Sequence, residues 1–104
     1  MQKKVKEFNE KIMVAHEETM PVSARLLDIE SEIGELVKEY LKATNYGTTS
    51  FCLSLDFEEE FGDVLYALLS LANETGIDCE KSLNVVLNKL ESRLKKKNDI
   101  GSGR

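Results

Sequence analysis

Residues 57–72 read FEEEFGDVLYALLSLA, and this stretch decides the fold class of the chain. Its apolar residues recur every three or four positions, which is the spacing of one face of an α-helix. That face comprises Phe57, Phe61, Val64, Leu65, Leu68, Leu71 and Ala72. Gly76 is suited to end the helix in a left-handed conformation. The helix is expected to begin near Asp56, with Asp56 or Ser54 as its N-cap.

The same periodicity predicts three more helices. The first spans about residues 3–19 and is broken by Pro21. The second spans about residues 22–44 and ends at the turn-rich segment 45–50. The last is capped by Asp78 and spans about residues 79–97.

Four amphipathic helices predict an all-α, four-helix bundle-like domain. We assign residues 1–97 to a single domain and residues 98–104 to a Gly/Ser-rich C-terminal tail. The two middle helices are long and their apolar faces are wide. We therefore expect part of these faces to be buried in a homodimer or homotetramer.

Composition narrows the possible functions. The 104 residues carry a net charge of -5, which argues against broad nucleic-acid binding. The two cysteines, Cys52 and Cys79, lack the spacing of a zinc site and fit free thiols in the cytoplasm. No apolar run approaches the ~18 residues that a membrane span requires, so we expect no membrane association.

Two pairs of carboxylates are the most informative feature. Glu32 and Glu35 are three residues apart on the second helix, and Glu60 and Asp63 are three apart on the third. Each pair therefore lies on one side of its helix, next to the apolar face. If the two faces meet, four carboxylates converge and repel one another unless a cation lies among them. Oxygen ligands without His or Cys select Mg²⁺, Mn²⁺ or Ca²⁺.

The spacing alone leaves alternatives open. Acid pairs at this spacing commonly form a solvated helix face, which would suit a non-catalytic helical interaction protein. Glu58 and Glu59 adjoin Glu60, but only Glu60 in that run is followed by an acid three residues later. A di-iron carboxylate bundle would use Glu-x-x-His pairs, which this chain lacks.

The two acid pairs occur within longer motifs, 31–36 (SEIGEL) and 59–67 (EEFGDVLYA). Together these resemble the ExxE…ExxD signature of the MazG-type all-α nucleoside triphosphate pyrophosphohydrolases. Residues 71–78 (LANETGID) resemble the turn between the third and fourth helices of that family, and 88–93 (NKLESR) resemble its Lys-x-x-x-Arg segment. The resemblance covers about residues 22–97.

The resemblance implies a hydrolase that converts a nucleoside triphosphate to the monophosphate and pyrophosphate, as a nucleotide house-cleaning enzyme. It implies Mg²⁺, with Mn²⁺ possible, held by the acid tetrad, here Glu32, Glu35, Glu60 and Asp63. Glu35 or Glu32 is our candidate general base for the attacking water.

The same resemblance assigns phosphate contacts to Lys89 and Arg93 and implies a dimeric or tetrameric assembly. Phosphoribosyl-ATP and dUTP or dCTP pyrophosphatases share the scaffold and are the alternatives. Relatives often carry a tryptophan near the base pocket, and this chain has none. Its candidate replacements are Phe8, Tyr40, Tyr46 and Phe51.

Overall fold

The computed structural model of the chain describes residues 1–16 and 21–101, and side chains within 1–13 and 21–98. The described residues form four α-helices and no strand. They are α1 (Gln2–His16), α2 (Val22–Ala43), α3 (Leu55–Thr75) and α4 (Cys79–Gly101). The predicted all-α class and the predicted number of helices are confirmed.

The helix ends follow the predicted local chemistry. Ser54 is the N-cap of α3, because its hydroxyl accepts a hydrogen bond from the Phe57 N–H at 3.1 Å. Gly76 closes α3 with φ +76°, the left-handed conformation that glycine adopts without strain. The Asp78 carboxylate accepts from the Lys81 N–H at 3.1 Å and so caps α4.

The predicted end of the first helix, Thr19, lies outside the described residues, which stop at His16 and resume at Pro21. The predicted end of the last helix differs from the observed one. The helix α4 continues past Lys97 to Gly101, because residues 98–100 contain neither glycine nor proline. The division of the chain into a domain and a tail stays a prediction.

The helix α3 is the centre of the fold, with α1 and α2 packed against it. The α2–α3 pair is antiparallel: Arg25 near the start of α2 pairs with Glu74 at the end of α3, at 3.6 Å. The most deeply buried apolar side chains all belong to α3: Ala67, Leu69 and Ala72. The core is therefore thin and follows one helix.

Polar side chains fix α1 against α3. The Asn9 amide donates to the hydroxyl of the fully buried Ser70 at 3.0 Å, and its carbonyl accepts from the Tyr66 hydroxyl. Phe8 meets the Tyr66 ring edge to face, with centroids 6.0 Å apart. These bonds join residues about sixty positions apart in the sequence and set the register of the two helices.

The helix α4 projects away from the other three. It hardly contacts them, and every side chain from Glu80 to Asn98 is exposed. The molecule is accordingly 62 Å long, about twice the ~32 Å length of a helix such as α3. Its radius of gyration of 18.5 Å also exceeds the ~13 Å typical of a compact chain of this size.

Gln2 fixes the corner from which α4 departs. Its side-chain carbonyl accepts from the Cys79 N–H at 3.1 Å, and its side-chain amide donates to the Ile77 carbonyl. Its own backbone carbonyl accepts from the Asn73 amide at 3.1 Å. The start of α1 therefore holds the α3–α4 turn and satisfies a backbone donor in the first turn of α4.

Candidate metal centre

The antiparallel α2–α3 pair brings three predicted ligands together. Glu32 comes from α2, and Glu60 and Asp63 come from α3. One carboxylate oxygen of each lies within 4.8 Å of the other two. Glu32 and Glu60 are half-buried, and Asp63 is exposed. The cluster therefore opens to solvent at the edge of the helix interface.

The carboxylates of this cluster disturb one another. Partial burial, together with the negative charge of Asp63, raises the pKa of Glu32 above its ordinary value, and Asp28 and Glu35 add to the effect. The pKa of Glu60 is raised for the same reasons, with Asp63 again the strongest charged neighbour. A raised carboxyl pKa means that the ionised form is held at a cost. A cation at this position would remove that cost.

Glu35, the fourth predicted ligand, stands slightly apart. It is not one of the three carboxylates that converge within 4.8 Å, although its charge raises the pKa of both Glu32 and Glu60. Its side chain is half exposed and faces the Lys38 ammonium at 3.9 Å. An exposed pair at that distance contributes little to stability, so Glu35 is free to turn towards the cluster.

Two lysines on α2, near Glu35, are not among the predicted site residues. Lys38 pairs with Glu35, and Lys42 pairs with Glu39 at 3.2 Å. The Glu39 carboxylate raises the pKa of Lys42 through this hydrogen-bonded contact. The sequence signal was the Glu-x-x-Lys spacing, which places opposite charges on one helix face.

Lys89 and Arg93 lie on the projecting helix α4 and are exposed. Since α4 hardly contacts α2 or α3, the structure does not bring these two residues to the acidic cluster of the same chain. By helical geometry, ~100° per residue, Arg93 lies on the flank of the apolar side of α4, and Lys89 lies further round towards the polar side. A role for them at the site requires a second chain.

Two polar side chains near the contact between α1 and α3 are engaged in hydrogen bonds within the fold. Asn9 is half-buried and bonds to Ser70 and Tyr66. Asn73 donates to the Gln2 carbonyl. The side chain of His16, the single histidine of the sequence, lies outside the described residues, as does the Gly/Ser-rich end after Gly101.

The donor set fits a hard divalent cation. All converging atoms are carboxylate oxygens, and no described His or Cys joins the group. Mg²⁺ and Mn²⁺ prefer such ligands and leave positions open for phosphate oxygens. The fold and the site together define an all-α protein with an acidic cluster whose donor atoms suit a divalent cation.

Comparison with known proteins gives the family. The model of the MazG nucleotide pyrophosphohydrolase domain matches residues 4–97, and the chain belongs to this family. A crystal structure described as the Bacillus-conserved MazG protein, a nucleotide pyrophosphohydrolase, superposes with a TM-score of 0.71. The two sequences are 32% identical, over 86% of this chain and 84% of the other. No curated protein matches the chain.

Family membership confirms the predicted enzyme class: the chain is a hydrolase that acts on nucleotide phosphoanhydride bonds. Family membership therefore argues against the alternative of a non-catalytic helical interaction protein. Among the described residues, no helix is long and apolar enough to span a bilayer.

Proposed function

We propose that the protein is a Mg²⁺-dependent enzyme that hydrolyses nucleoside triphosphates to nucleoside monophosphates and pyrophosphate, with Mn²⁺ as a possible substitute. The observation that carries this proposal is the convergence of Glu32, Glu60 and Asp63 within 4.8 Å on two antiparallel helices. The raised pKa values of Glu32 and Glu60 support it, because they indicate carboxylates that would gain from a cation.

In this proposal Glu32, Glu60 and Asp63 hold the ion, and Glu35 completes the tetrad. A bound divalent ion neutralises charge on the triphosphate and orients it for in-line attack. Glu35 is the better candidate for the general base, because it lies outside the closest group and is half exposed. It would accept the proton of the water that attacks the α-phosphate, and Glu32 is the alternative base.

The enzyme is proposed to act as a homodimer or homotetramer. The helix α4 leaves a continuous row of leucines, Leu83, Leu87, Leu90 and Leu94, about half exposed. Apolar side chains on the outer side of α2, such as Leu26, Ile33 and Val37, are exposed to a similar extent. Exposed apolar surface on this scale is typical of a subunit interface. In a symmetric assembly, the same apolar surface of a second copy would cover it.

Self-association would also bring a basic pair to the acids. Arg93 lies about 90° around α4 from the middle of the leucine row, and Lys89 about 130°. Arg93 would therefore lie at the rim of an interface built on that row, and Lys89 just outside it. We propose that each acidic cluster receives these two residues from the partner chain, where they stabilise the pyrophosphate leaving group.

Subunit complementation tests this arrangement. Glu60→Gln and Arg93→Ala are expected to be inactive alone, whereas a co-refolded mixture regains a substantial fraction of wild-type activity. In a mixed dimer one site combines the intact acids of one chain with the intact Arg93 of the other. A mixture as inactive as its components would place the basic residue and the acids in the same chain.

Pyrophosphate release with added Mg²⁺, measured across the ribo- and deoxyribonucleoside triphosphates and phosphoribosyl-ATP, tests the activity. We expect nucleoside monophosphate and pyrophosphate in equal amounts from several bases, as a house-cleaning role requires. Turnover of dUTP, dCTP or phosphoribosyl-ATP alone would instead favour one of the specialised alternatives. Release of inorganic phosphate without pyrophosphate would refute the proposed bond specificity.

We propose the cytoplasm as the compartment of the protein and expect no binding to nucleic acid. Both described cysteines, Cys52 and Cys79, are free thiols, which suits a reducing compartment. The net charge of -5 opposes binding to a polyanion.

A further inference from the structure

A partly buried ion pair joins the start of α2 to the end of α3. The Arg25 guanidinium lies 3.6 Å from the Glu74 carboxylate, and the Arg25 side chain is only 10% exposed. Its Nε has no hydrogen-bond partner among the described residues. A buried guanidinium needs several acceptors to offset its lost hydration, and a single carboxylate at this distance supplies few. The pair is therefore a poor source of stability, and its presence needs another explanation.

This pair is the one attractive polar contact between the side chains of α2 and α3 that the described residues show. The other two described ion pairs lie within α2. None of the side-chain hydrogen bonds in the described ranges joins α2 to α3. The bonds of Asn9 join α1 to α3, and those of Thr44 remain within the end of α2 and the connection that follows it.

At the acidic cluster, by contrast, the charges of the two helices repel. The negative charge of Asp63 on α3 raises the pKa of Glu32 on α2, and the charge of Glu32 in turn raises the pKa of Glu60. Repulsion of this kind favours any movement of α2 that separates the carboxylates. The Arg25–Glu74 pair opposes such a movement, because it attracts α2 to α3.

Helical geometry couples the ion pair to the acidic cluster. Arg25 and Glu32 are seven residues apart, which places them about 10.5 Å apart along α2 and within about 20° around it. Glu74 and Asp63 are eleven residues apart on α3, which is again within about 20° around the axis. A rotation of α2 that moved Arg25 away from Glu74 would therefore move Glu32 away from Asp63 by the same angle.

We propose that Arg25 and Glu74 are positioning residues, whose ion pair fixes the rotation of α2 against α3 and so holds Glu32 opposite Glu60 and Asp63 for the metal ion. This inference rests on the proposed metal site. Apolar contacts between two helices are non-directional and tolerate a range of rotations. The ion pair is directional, since the guanidinium reaches the carboxylate over a narrow range only. Neither residue touches the ion or the substrate.

Replacement of the pair by two methionines tests the inference. Arg25→Met with Glu74→Met removes one charge of each sign, so the net charge of the chain is unchanged. We expect the dissociation constant for Mn²⁺ to rise and kcat for pyrophosphate release to fall, each by about ten- to a hundredfold, the usual loss when groups that orient metal ligands are removed. The midpoint of urea unfolding should be equal or higher, because apolar replacement of a buried ion pair is often stabilising.

Reversal of the pair is the rescue variant. Arg25→Glu with Glu74→Arg restores an ion pair at the same place, and we expect it to recover most of the Mn²⁺ affinity that the methionine variant loses. Both positions are about 10 Å or more from the nearest cluster carboxylate along their helices, beyond the ~8 Å screening length at physiological salt, so their charges act weakly on the ion itself. Lys6→Met with Glu10→Met removes one exposed charge of each sign from α1 and should bind Mn²⁺ like wild type.

Four results would contradict the inference. Wild-type Mn²⁺ affinity in the methionine variant would overturn it while leaving the metal site intact. Equal loss of affinity in the reversed variant would show that the ion pair is not what positions the ligands. A lower unfolding midpoint in the methionine variant would make the pair an ordinary stabilising contact. Failure of the wild type to bind Mn²⁺ would overturn the proposed function as well.

Discussion

The helices α2, α3 and α4 are similar in length and all are amphipathic, but their apolar faces are buried to different extents. The pair buries part of its apolar surface within the chain and in doing so brings Glu32, Glu60 and Asp63 together. The helix α4 buries almost none, and every side chain from Glu80 to Asn98 is exposed. In the proposed arrangement, one chain supplies the acidic half of the site and a second chain supplies the basic half.

The largest expected effect concerns the paired helices. Glu60→Gln removes one charged oxygen donor from the cluster while preserving the shape of the side chain. We predict that kcat for pyrophosphate release falls by about a hundred- to a thousandfold, the usual loss when a preorganised charged group is removed from a polar active site.

The fold should survive this substitution. Loss of one carboxylate relieves repulsion in a cluster where the pKa of Glu60 is already raised, so metal-free thermal stability should be equal or higher. Glu58→Gln, on the same helix but with an exposed side chain, is the matched control and should keep full activity. Wild-type turnover by Glu60→Gln would mean that the ligand assignment is wrong.

The next largest effect concerns α4. Leu87→Asp with Leu90→Asp places two charges in the middle of the exposed leucine row. We predict at least about a hundredfold weaker self-association, because charged groups resist burial in an apolar interface. Sedimentation velocity over a concentration series measures the change, and activity should fall in parallel.

Ser92→Asp is the control for this prediction, because residue 92 lies on the opposite side of α4 from the leucine row. It adds a charge to the same helix without touching that row. If the double variant associates like wild type, the leucine row is not the subunit interface. Burial between subunits would then not explain why the apolar face of α4 is exposed in the single chain.

The smallest expected effect concerns the N-cap of α3 and is measured as a change in the free energy of unfolding. Ser54→Ala removes the hydroxyl that accepts from the Phe57 N–H and should cost about 1 kcal/mol in urea unfolding. Asp56→Ala removes only a favourable charge near the N-terminus of α3 and should cost about 0.3 kcal/mol. The reverse order would make Asp56 the effective cap in solution.

Local chemistry made much of the fold predictable. Pro21, Gly76 and Asp78 set helix ends because each acts through the few residues beside it. The partners of Asn9 were not predictable, since Tyr66 and Ser70 are about sixty residues away and meet it only after α1 and α3 pack. The projecting position of α4 was also not predictable from the sequence. An amphipathic pattern indicates that the apolar face of a helix is buried, but it does not identify the surface that buries it.

The candidate site divides in the same way. Spacing placed each acid pair on one helix side, and antiparallel packing did bring three of the four carboxylates together. Spacing could not show that Glu35 turns towards Lys38, since that depends on side-chain rotation and a neighbouring charge. Nor could it show that the rings of Tyr40 and Phe51 stack, because these residues are eleven positions apart and are joined through the left-handed turn at residues 45–47.

Calorimetric titration of the nucleotide-free protein with Mn²⁺, in parallel with Glu60→Gln and Glu58→Gln, tests the central claim most directly. Wild type and Glu58→Gln should show saturable binding that weakens as the pH is lowered, since protons compete for carboxylates whose pKa is raised. Glu60→Gln should bind markedly more weakly at every pH. Identical isotherms for all three proteins would contradict the assignment of a metal site to the facing edges of α2 and α3.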